Sequence, residues 1–122
     1  MAVSGHEAIS NGGFLEVETI SLDDFFSDIY NKIDFIKIDA EGAEGLIING
    51  AHKILKKDNL KILMEFWPDA IRRSGLDPME LLVRLKNYGF KIYFINNRRS
   101  VLEPFEAKMM ASGAGFNLFL EK

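Results

Sequence analysis

The sequence predicts an α/β domain with a mostly parallel β-sheet and helices packed on it. Short runs rich in β-branched and aromatic residues alternate with longer segments whose apolar residues recur at helical spacing. The order strand–helix–strand–helix–strand–helix–strand favours parallel strands that are joined by helices. A final strand with no clear helix before it predicts one antiparallel strand beside its predecessor. The 122 residues, 48% of them hydrophobic, can form one core.

Composition excludes several kinds of function. The net charge of -3 gives no electrostatic reason to expect nucleic acid or an anionic membrane surface as a partner. The chain has no cysteine, which excludes disulfides, thiolate zinc sites and a cysteine nucleophile. Its two histidines provide no metal-ligand spacing, and we expect no metal site. No signal peptide or membrane-spanning apolar run is present, so the cytoplasm is the expected location.

The first 30 residues predict secondary structure less clearly than the rest of the chain. Residues 1–14 are small and polar and predict a flexible arm, followed by a domain over residues 15–122, although residues 14–20 also fit a weak strand. Ser21 stands three positions before Asp24, a spacing that resembles a capping box. Apolar residues at helical spacing follow, so a short helix is predicted over residues 22–30.

The middle of the chain gives clearer patterns. Residues 33–38 form an apolar, β-branched run that predicts a buried strand. One apolar stripe over residues 43–57 predicts a single helix, with lysines near its end. Residues 60–67 predict the next strand, which Pro68 ends because proline cannot donate to the sheet.

The last elements begin with the best-marked helix. Asp77 can cap it, Pro78 suits its first position and Gly89 is a natural stop. Strands are predicted over residues 90–95 and 116–120. Between these two strands the sequence predicts a polar turn and no further helix or strand.

Three carboxylates follow the strand at residues 33–38, namely Asp39, Glu41 and Glu44. In open α/β sheets, ligands bind at the carboxyl ends of the strands. One interpretation is that Glu41 and Glu44 only complement the positive start of the following helix. The other is that Asp39 and Glu41 point into a cleft as a base, a hydroxyl acceptor or metal ligands. The local pattern alone leaves both open.

The stretch DFIKIDAEGAE at residues 34–44, with Gly-Ala at positions 50–51, resembles the signature of the FkbM family of S-adenosylmethionine-dependent methyltransferases. Three further segments are similar to that family in the same order along the chain. They are VETISLDDFF (17–26), LKILMEFWP (60–68) and GFNLFLEK (115–122).

The resemblance implies the carboxyl-terminal part of a Rossmann-like methyltransferase sheet that uses S-adenosylmethionine. It further implies methyl transfer to a hydroxyl group of a small molecule, such as a sugar or a secondary metabolite. Asp39 would end the fourth strand and Glu65 the fifth, at the same edge. The implied roles are as follows: Asp39 and Glu41 catalytic, Asp39 and Ala40 in contact with the cofactor, and Glu44, Glu65 and Trp67 in contact with the substrate.

The same resemblance places the start of the chain near the middle of the family domain, after the glycine-rich loop that meets the cofactor. We therefore expect weak or absent cofactor binding by the isolated chain. We also expect an open edge on the strand at residues 33–38, which favours a homo-oligomer. The alternative is a non-catalytic α/β remnant that associates with itself or with a partner.

Overall fold

The computed structural model describes residues 8–10 and 13–122. Its strands are β1 (Ala8–Ser10), β2 (Gly13–Leu15), β3 (Phe35–Ile38), β4 (Lys61–Phe66), β5 (Lys91–Asn96), β6 (Val101–Pro104) and β7 (Phe116–Glu121). Its α-helices are α1 (Leu22–Phe25), α2 (Glu44–Asn49), α3 (His52–Leu55), α4 (Pro68–Arg73) and α5 (Pro78–Asn87). Two 3₁₀ helices cover Tyr30–Lys32 and Ala107–Ser112. The predicted arm falls partly outside the described residues, and the boundary after residue 14 stays a prediction.

Five strands form an open sheet in the order β3-β4-β7-β5-β6, and β1 and β2 form a separate antiparallel hairpin. The prediction of a mostly parallel sheet is wrong. Within the five-stranded sheet only β3 and β4 pair in parallel, while β4–β7, β5–β7 and β5–β6 are antiparallel. The predicted antiparallel final strand is confirmed, because β7 lies between β4 and β5 and runs opposite to both.

The antiparallel β5–β6 pair has a local cause, whereas the other two antiparallel pairs arise because β7 is inserted between β4 and β5, which run in the same direction. A crossover helix is needed to bring a chain back to start a parallel neighbour. After β5 the chain instead reverses through residues 97–100, where Ser100 has a φ of 54° and the Asn96 side chain accepts a hydrogen bond from the Arg99 amide. This turn creates β6, which the sequence analysis did not assign.

Two predicted helices are shorter in the structure than expected. The helix predicted over residues 22–30 ends at Phe25, although Ser21 caps it as expected by accepting a hydrogen bond from the Asp24 amide at 3.1 Å. The helix predicted over residues 43–57 is divided at Gly50 and Ala51 into α2 and α3. The strand predicted over residues 14–20 is limited to β2.

The side chain of Asp23 accounts for the division between α2 and α3. Its carboxylate accepts hydrogen bonds from the Lys53 amide at 2.9 Å and the Ile54 amide at 3.2 Å, so it caps α3 from a distant part of the chain. Its own amide donates to the Gly50 carbonyl at 2.9 Å. A Cβ at Gly50 would lie 2.9 Å from the Ser21 Cβ, so the segment before α1 and the α2–α3 turn pack closely.

The core lies on one face of the sheet. Ile62, Met64 and Phe66 alternate along β4 and are fully buried against side chains of the helices. Their neighbours in β4 point to the opposite face, where Leu63 and Glu65 are only partly buried. Side chains on this second face are therefore available to the site described below.

We expect Asp23→Ala to lower the free energy of unfolding by about 1–2 kcal/mol, because it removes the cap of α3 and leaves two backbone donors without their acceptor. Urea unfolding followed by circular dichroism would measure the change. Asp28→Ala is the matched control, since Asp28 is exposed in the turn after α1. Equal losses in the two variants would show that the cap does not hold the α2–α3 turn.

Candidate functional site

The loop that joins β3 to α2 is organised by one buried carboxylate. Glu44, the first residue of α2, has 0% exposure. One carboxylate oxygen accepts a hydrogen bond from the Ala40 amide at 3.0 Å and the other from the Gly42 amide at 2.9 Å. Hydrogen bonds to a charged acceptor are stronger than neutral ones, so Glu44 fixes the loop that carries Asp39 and Glu41.

The backbone of this loop requires glycine at position 42. Gly42 has a φ of 107°, in the region that favours glycine, and Glu41 before it has a φ of 50°. A Cβ at Gly42 would lie 2.6 Å from the Ala70 carbonyl oxygen. The Gly42 carbonyl also accepts a hydrogen bond from the Ser74 hydroxyl at 2.9 Å. The loop is thus pressed against α4, and Glu41 is left exposed at its tip.

Asp39 and Glu65 lie side by side at the carboxyl ends of β3 and β4. The parallel register pairs Ile38 with Met64, so the next residue of each strand meets the other. A hydrogen bond with Asp39 is the main cause that raises the pKa of Glu65 from 4.5 to about 6. Partial burial of Glu65 and the negative charges of Asp39, Glu44 and Glu41 act in the same direction. Glu65 therefore keeps its proton to a higher pH than an ordinary glutamate does.

Asn117 extends this pair into a polar row across three strands. It is exposed in β7 and lies directly opposite Glu65 in the antiparallel register. Directly opposed residues of an antiparallel pair point to the same face of the sheet. The sequence alone assigned no role to Asn117, because the β4–β7 register is not visible in either segment alone.

Trp67 follows Glu65 by two positions and forms an aromatic wall next to the pair. It is partly buried, and the Arg73 guanidinium lies 4.9 Å from its ring centroid. A Cβ at Gly115 would lie 3.7 Å from the Trp67 Cβ and 3.8 Å from a carboxylate oxygen of Glu65. The chain entering β7 therefore passes close to both side chains.

An open cavity of about 590 Å³ lies on the other side of Asp39. Its walls come from three segments, namely residues 19–22, residues 36–40 and the apolar side of α2. Asp39 and Ala40 both line it. The Thr19 hydroxyl is buried and has no hydrogen-bond partner in the described part of the chain. The cavity volume lies in the range of small-molecule sites.

The structure thus brings Asp39 and Glu65 together at one sheet edge, as the resemblance implied, with Ala40 next to Asp39 in the chain; the roles assigned to all three stay predictions. Glu41 stands apart at the exposed loop tip, and its charge still acts on Glu65. Glu44 is closed off from solvent by burial, so it has a structural role in this conformation, and its predicted contact with substrate stays untested. Within residues 8–10 and 13–122 no group of three or more histidine and acidic side chains is arranged to hold a metal ion.

Comparison with known proteins identifies a family for this chain. The model of the methyltransferase FkbM domain family matches residues 2–92 of the 122-residue chain. No curated protein and no solved structure matches the chain. None of the described helices has both the length and the apolar character that crossing a bilayer requires.

We expect the side-chain carboxyl of Glu65 to titrate near pH 6, well above its ordinary range, because it is hydrogen-bonded with Asp39. Carbon-detected NMR of the glutamate carboxyl resonances would follow this titration. In Asp39→Asn the neighbouring charge is absent, so the pKa of Glu65 should fall towards 4.5.

The raised pKa also sets a direction for stability. The folded state binds the Glu65 proton more tightly than the unfolded state does. Protonated Glu65 therefore contributes fully to the stability of the fold below pH 4.5, and this contribution to stability is lost as the pH rises through about 6. The stability of the wild type relative to Glu65→Gln should therefore decrease over this interval. A Glu65 titration near 4.5 in the wild type would refute the raised pKa.

We expect Glu44→Gln to lower the free energy of unfolding by about 1–3 kcal/mol, because the new amide group would face a backbone donor and leave it unsatisfied. Urea unfolding measures the loss. Glu41→Gln is the control in the same loop, since this exposed side chain should change stability by less than about 0.5 kcal/mol. Similar values for the two variants would mean that Glu44 does not organise the loop.

Proposed function

Because the chain belongs to the FkbM methyltransferase family, we propose that its site takes part in methyl transfer from S-adenosylmethionine to a hydroxyl oxygen of a sugar or a secondary metabolite. The observation that carries the proposal is that Asp39 and Glu65 lie side by side at the carboxyl ends of β3 and β4, where a hydrogen bond with Asp39 raises the pKa of Glu65 to about 6. A group with a pKa near neutrality is suited to accept or return a proton under physiological conditions.

The residues around the cavity fit the nucleoside part of the cofactor. Ile36, Ile38 and α2 offer apolar surface to a flat base. The Thr19 hydroxyl, which has no partner among the described residues, offers a hydrogen-bonding group. The Asp39 carboxylate at the rim can accept hydrogen bonds from ribose hydroxyls. When bound, S-adenosylmethionine supplies an electrophilic methyl group on a sulfonium centre.

The acceptor hydroxyl would lie over the polar row on the open face of the sheet. The Asp39 carboxylate accepts its hydrogen bond and orients the oxygen, and the proton released from that oxygen passes to the Asp39–Glu65 pair. Above about pH 6 the pair is ready to take this proton, because Glu65 is then largely ionised. Orientation and proton acceptance at one point suit methyl transfer, which needs the oxygen aligned with the methyl group.

Trp67 and Glu41 frame the acceptor in this proposal. The partly buried indole ring gives the apolar wall on which the C–H face of a sugar ring can pack. Glu41 is exposed at the loop tip and can accept hydrogen bonds from neighbouring hydroxyl groups of the acceptor. A polyhydroxylated acceptor therefore suits the site better than an apolar one.

We expect S-adenosylhomocysteine to bind weakly and to shift the NMR amide signals of Thr19, Asp39 and Ala40. Thr19→Val and Asp39→Ala should each weaken binding by about fivefold to tenfold, since each removes about one hydrogen bond. Glu80→Ala is the control, because Glu80 is exposed on α5, outside the residues that line the cavity.

Methyl transfer itself is tested with labelled S-adenosylmethionine and a panel of sugars and polyols. A folded sample that shows no shift at millimolar S-adenosylhomocysteine would refute the cofactor part of the proposal. Binding with shifts elsewhere in the chain would refute the assignment of these residues.

A further inference from the structure

Residues at the carboxyl end of β4 and at the entry to β7 form a shallow notch on the second face of the sheet. Glu65 and Asn117 are directly opposed in the antiparallel register, so their side chains point to this face. Two positions further along, where side chains return to the same face, Trp67 and Gly115 stand opposite each other. A Cβ at Gly115 would lie 3.7 Å from the Trp67 Cβ. The notch therefore has Gly115 as its floor and Trp67, Glu65 and Asn117 around it.

The backbone does not require glycine at the floor of the notch. Gly115 lacks the positive φ that Gly113 has. A Cβ at Gly115 would meet the Trp67 Cγ and a carboxylate oxygen of Glu65 at 3.8 Å, which is ordinary van der Waals contact. A larger side chain would extend from this position into the space between Trp67 and Asn117. The effect of glycine here is therefore to leave the notch open rather than to allow a turn.

Asn117 adds hydrogen-bond donors to a row of side chains that otherwise only accepts. The carboxylates of Asp39 and Glu65 accept hydrogen bonds when they are ionised, whereas a carboxamide both donates and accepts. Asn117 is exposed, and its side chain makes no hydrogen bond with any described residue, although Glu65 stands directly opposite. The carboxamide is thus available to a ligand that binds beside the Asp39–Glu65 pair.

We propose that the notch binds one sugar ring over Gly115, and that the Asn117 carboxamide holds the hydroxyl group next to the one that is methylated. Neighbouring strands lie about 4.8 Å apart, so short side chains at directly opposed positions can reach oxygen atoms on adjacent ring carbons. A hydroxyl group both donates and accepts hydrogen bonds, as the carboxamide does. The C–H face of the ring packs on the partly buried Trp67. The acceptor must accordingly carry two adjacent free hydroxyl groups.

This inference rests on the proposed function, because it takes the hydroxyl group at the Asp39–Glu65 pair as the one that is methylated. It adds a requirement on the acceptor that the proposed function does not contain. A sugar whose neighbouring hydroxyl group is missing would still meet the carboxyl pair but would lose its contact with Asn117. Asn117 and Gly115 therefore determine specificity and do not accept the proton.

Sugar binding can be measured without the cofactor, because Trp67 is the only tryptophan of the chain and borders the notch. Its fluorescence is followed while the chain is titrated with millimolar methyl glycosides of glucose, galactose and mannose. We expect a saturable change with at least one of them. The 3-deoxy form of the same glycoside has no two adjacent free hydroxyl groups, so it should bind at least about fivefold more weakly.

Substitutions of Asn117 test which hydroxyl group it holds. Asn117→Ala should weaken binding of the parent glycoside about fivefold and leave the affinity for the 3-deoxy form unchanged, because that form does not use the carboxamide. Asn117→Asp removes the donors at nearly constant size and adds a negative charge opposite Glu65. It should weaken binding in the same way and raise the pKa of Glu65 beyond about 6. Asn87→Ala is the matched control, since Asn87 is exposed at the end of α5, outside the notch.

Gly115→Leu tests the notch itself. The backbone at this position accepts a side chain, so the variant should fold, and far-UV circular dichroism would establish that it does. Because leucine fills the space over the floor, the Trp67 fluorescence should respond to neither the parent glycoside nor its 3-deoxy form. Ala114→Leu is the control, since it adds the same side chain at an exposed position next to the notch.

A folded wild-type chain whose Trp67 fluorescence responds to none of the glycosides would overturn the proposal, as would unchanged binding by Gly115→Leu. Equal affinity for the parent and 3-deoxy forms would overturn the role of Asn117. These outcomes are separate from those of the cofactor experiment. A chain that binds glycosides as described but not S-adenosylhomocysteine keeps the notch and refutes the proposed methyl transfer, whereas the reverse result refutes the notch alone.

Discussion

The buried carboxylate of Glu44 is the constraint on which the candidate site depends. A fully buried charge is unfavourable unless hydrogen bonds compensate it, and here the Ala40 and Gly42 amides do so. Those two bonds select the loop conformation with positive φ at Glu41 and Gly42. The loop conformation in turn leaves Asp39 at the end of β3, next to Glu65. The geometry of the site therefore follows from a residue that does not itself face the cleft.

Glu44 also affects the protonation of its neighbour Glu65. Its charge lies close enough to raise the pKa of Glu65, together with those of Asp39 and Glu41. Four acidic residues at one sheet edge repel one another, and such an arrangement reduces stability unless something else favours it. Asp23 shows the contrasting use of a carboxylate, because its charge is engaged with the amide groups of a helix start and supports the fold. Glu44 thus has two effects, because it holds its loop through two amide hydrogen bonds and its charge also raises the pKa of Glu65, whereas Asp23 supports the fold alone.

Features that depend on neighbouring residues could be predicted from the sequence, whereas features that depend on contacts between distant segments could not. The cap at Asp77, the proline after it and the stop at Gly89, with a φ of 96°, are local signals, and α5 lies between them as predicted. The division at Gly50 and the Asp39–Glu65–Asn117 row depend on contacts between distant segments, which periodicity does not show. The acidic motif could be placed at a sheet edge from sequence, whereas the hydrogen bond between Asp39 and Glu65 required the strand register. The prediction of a mostly parallel sheet was wrong for the same reason. The pairing depends on the turn after β5 and on the insertion of β7 between β4 and β5.

The open edge and the candidate site are not independent features, because both belong to β3. Asp39 follows this strand directly, lines the cavity beside the edge that no described strand covers, and is hydrogen-bonded with Glu65 of β4. Any chain that pairs with the edge must approach Asp39, and any cation that it brings would favour the ionised form of the acidic row. Covering the edge would therefore change the proton affinity of the site as well as its shape. Because Asp39 belongs both to the end of β3 and to the acidic row, any charged group brought to this end of the sheet would act directly on the carboxyl group of Glu65, whose pKa Asp39 already raises.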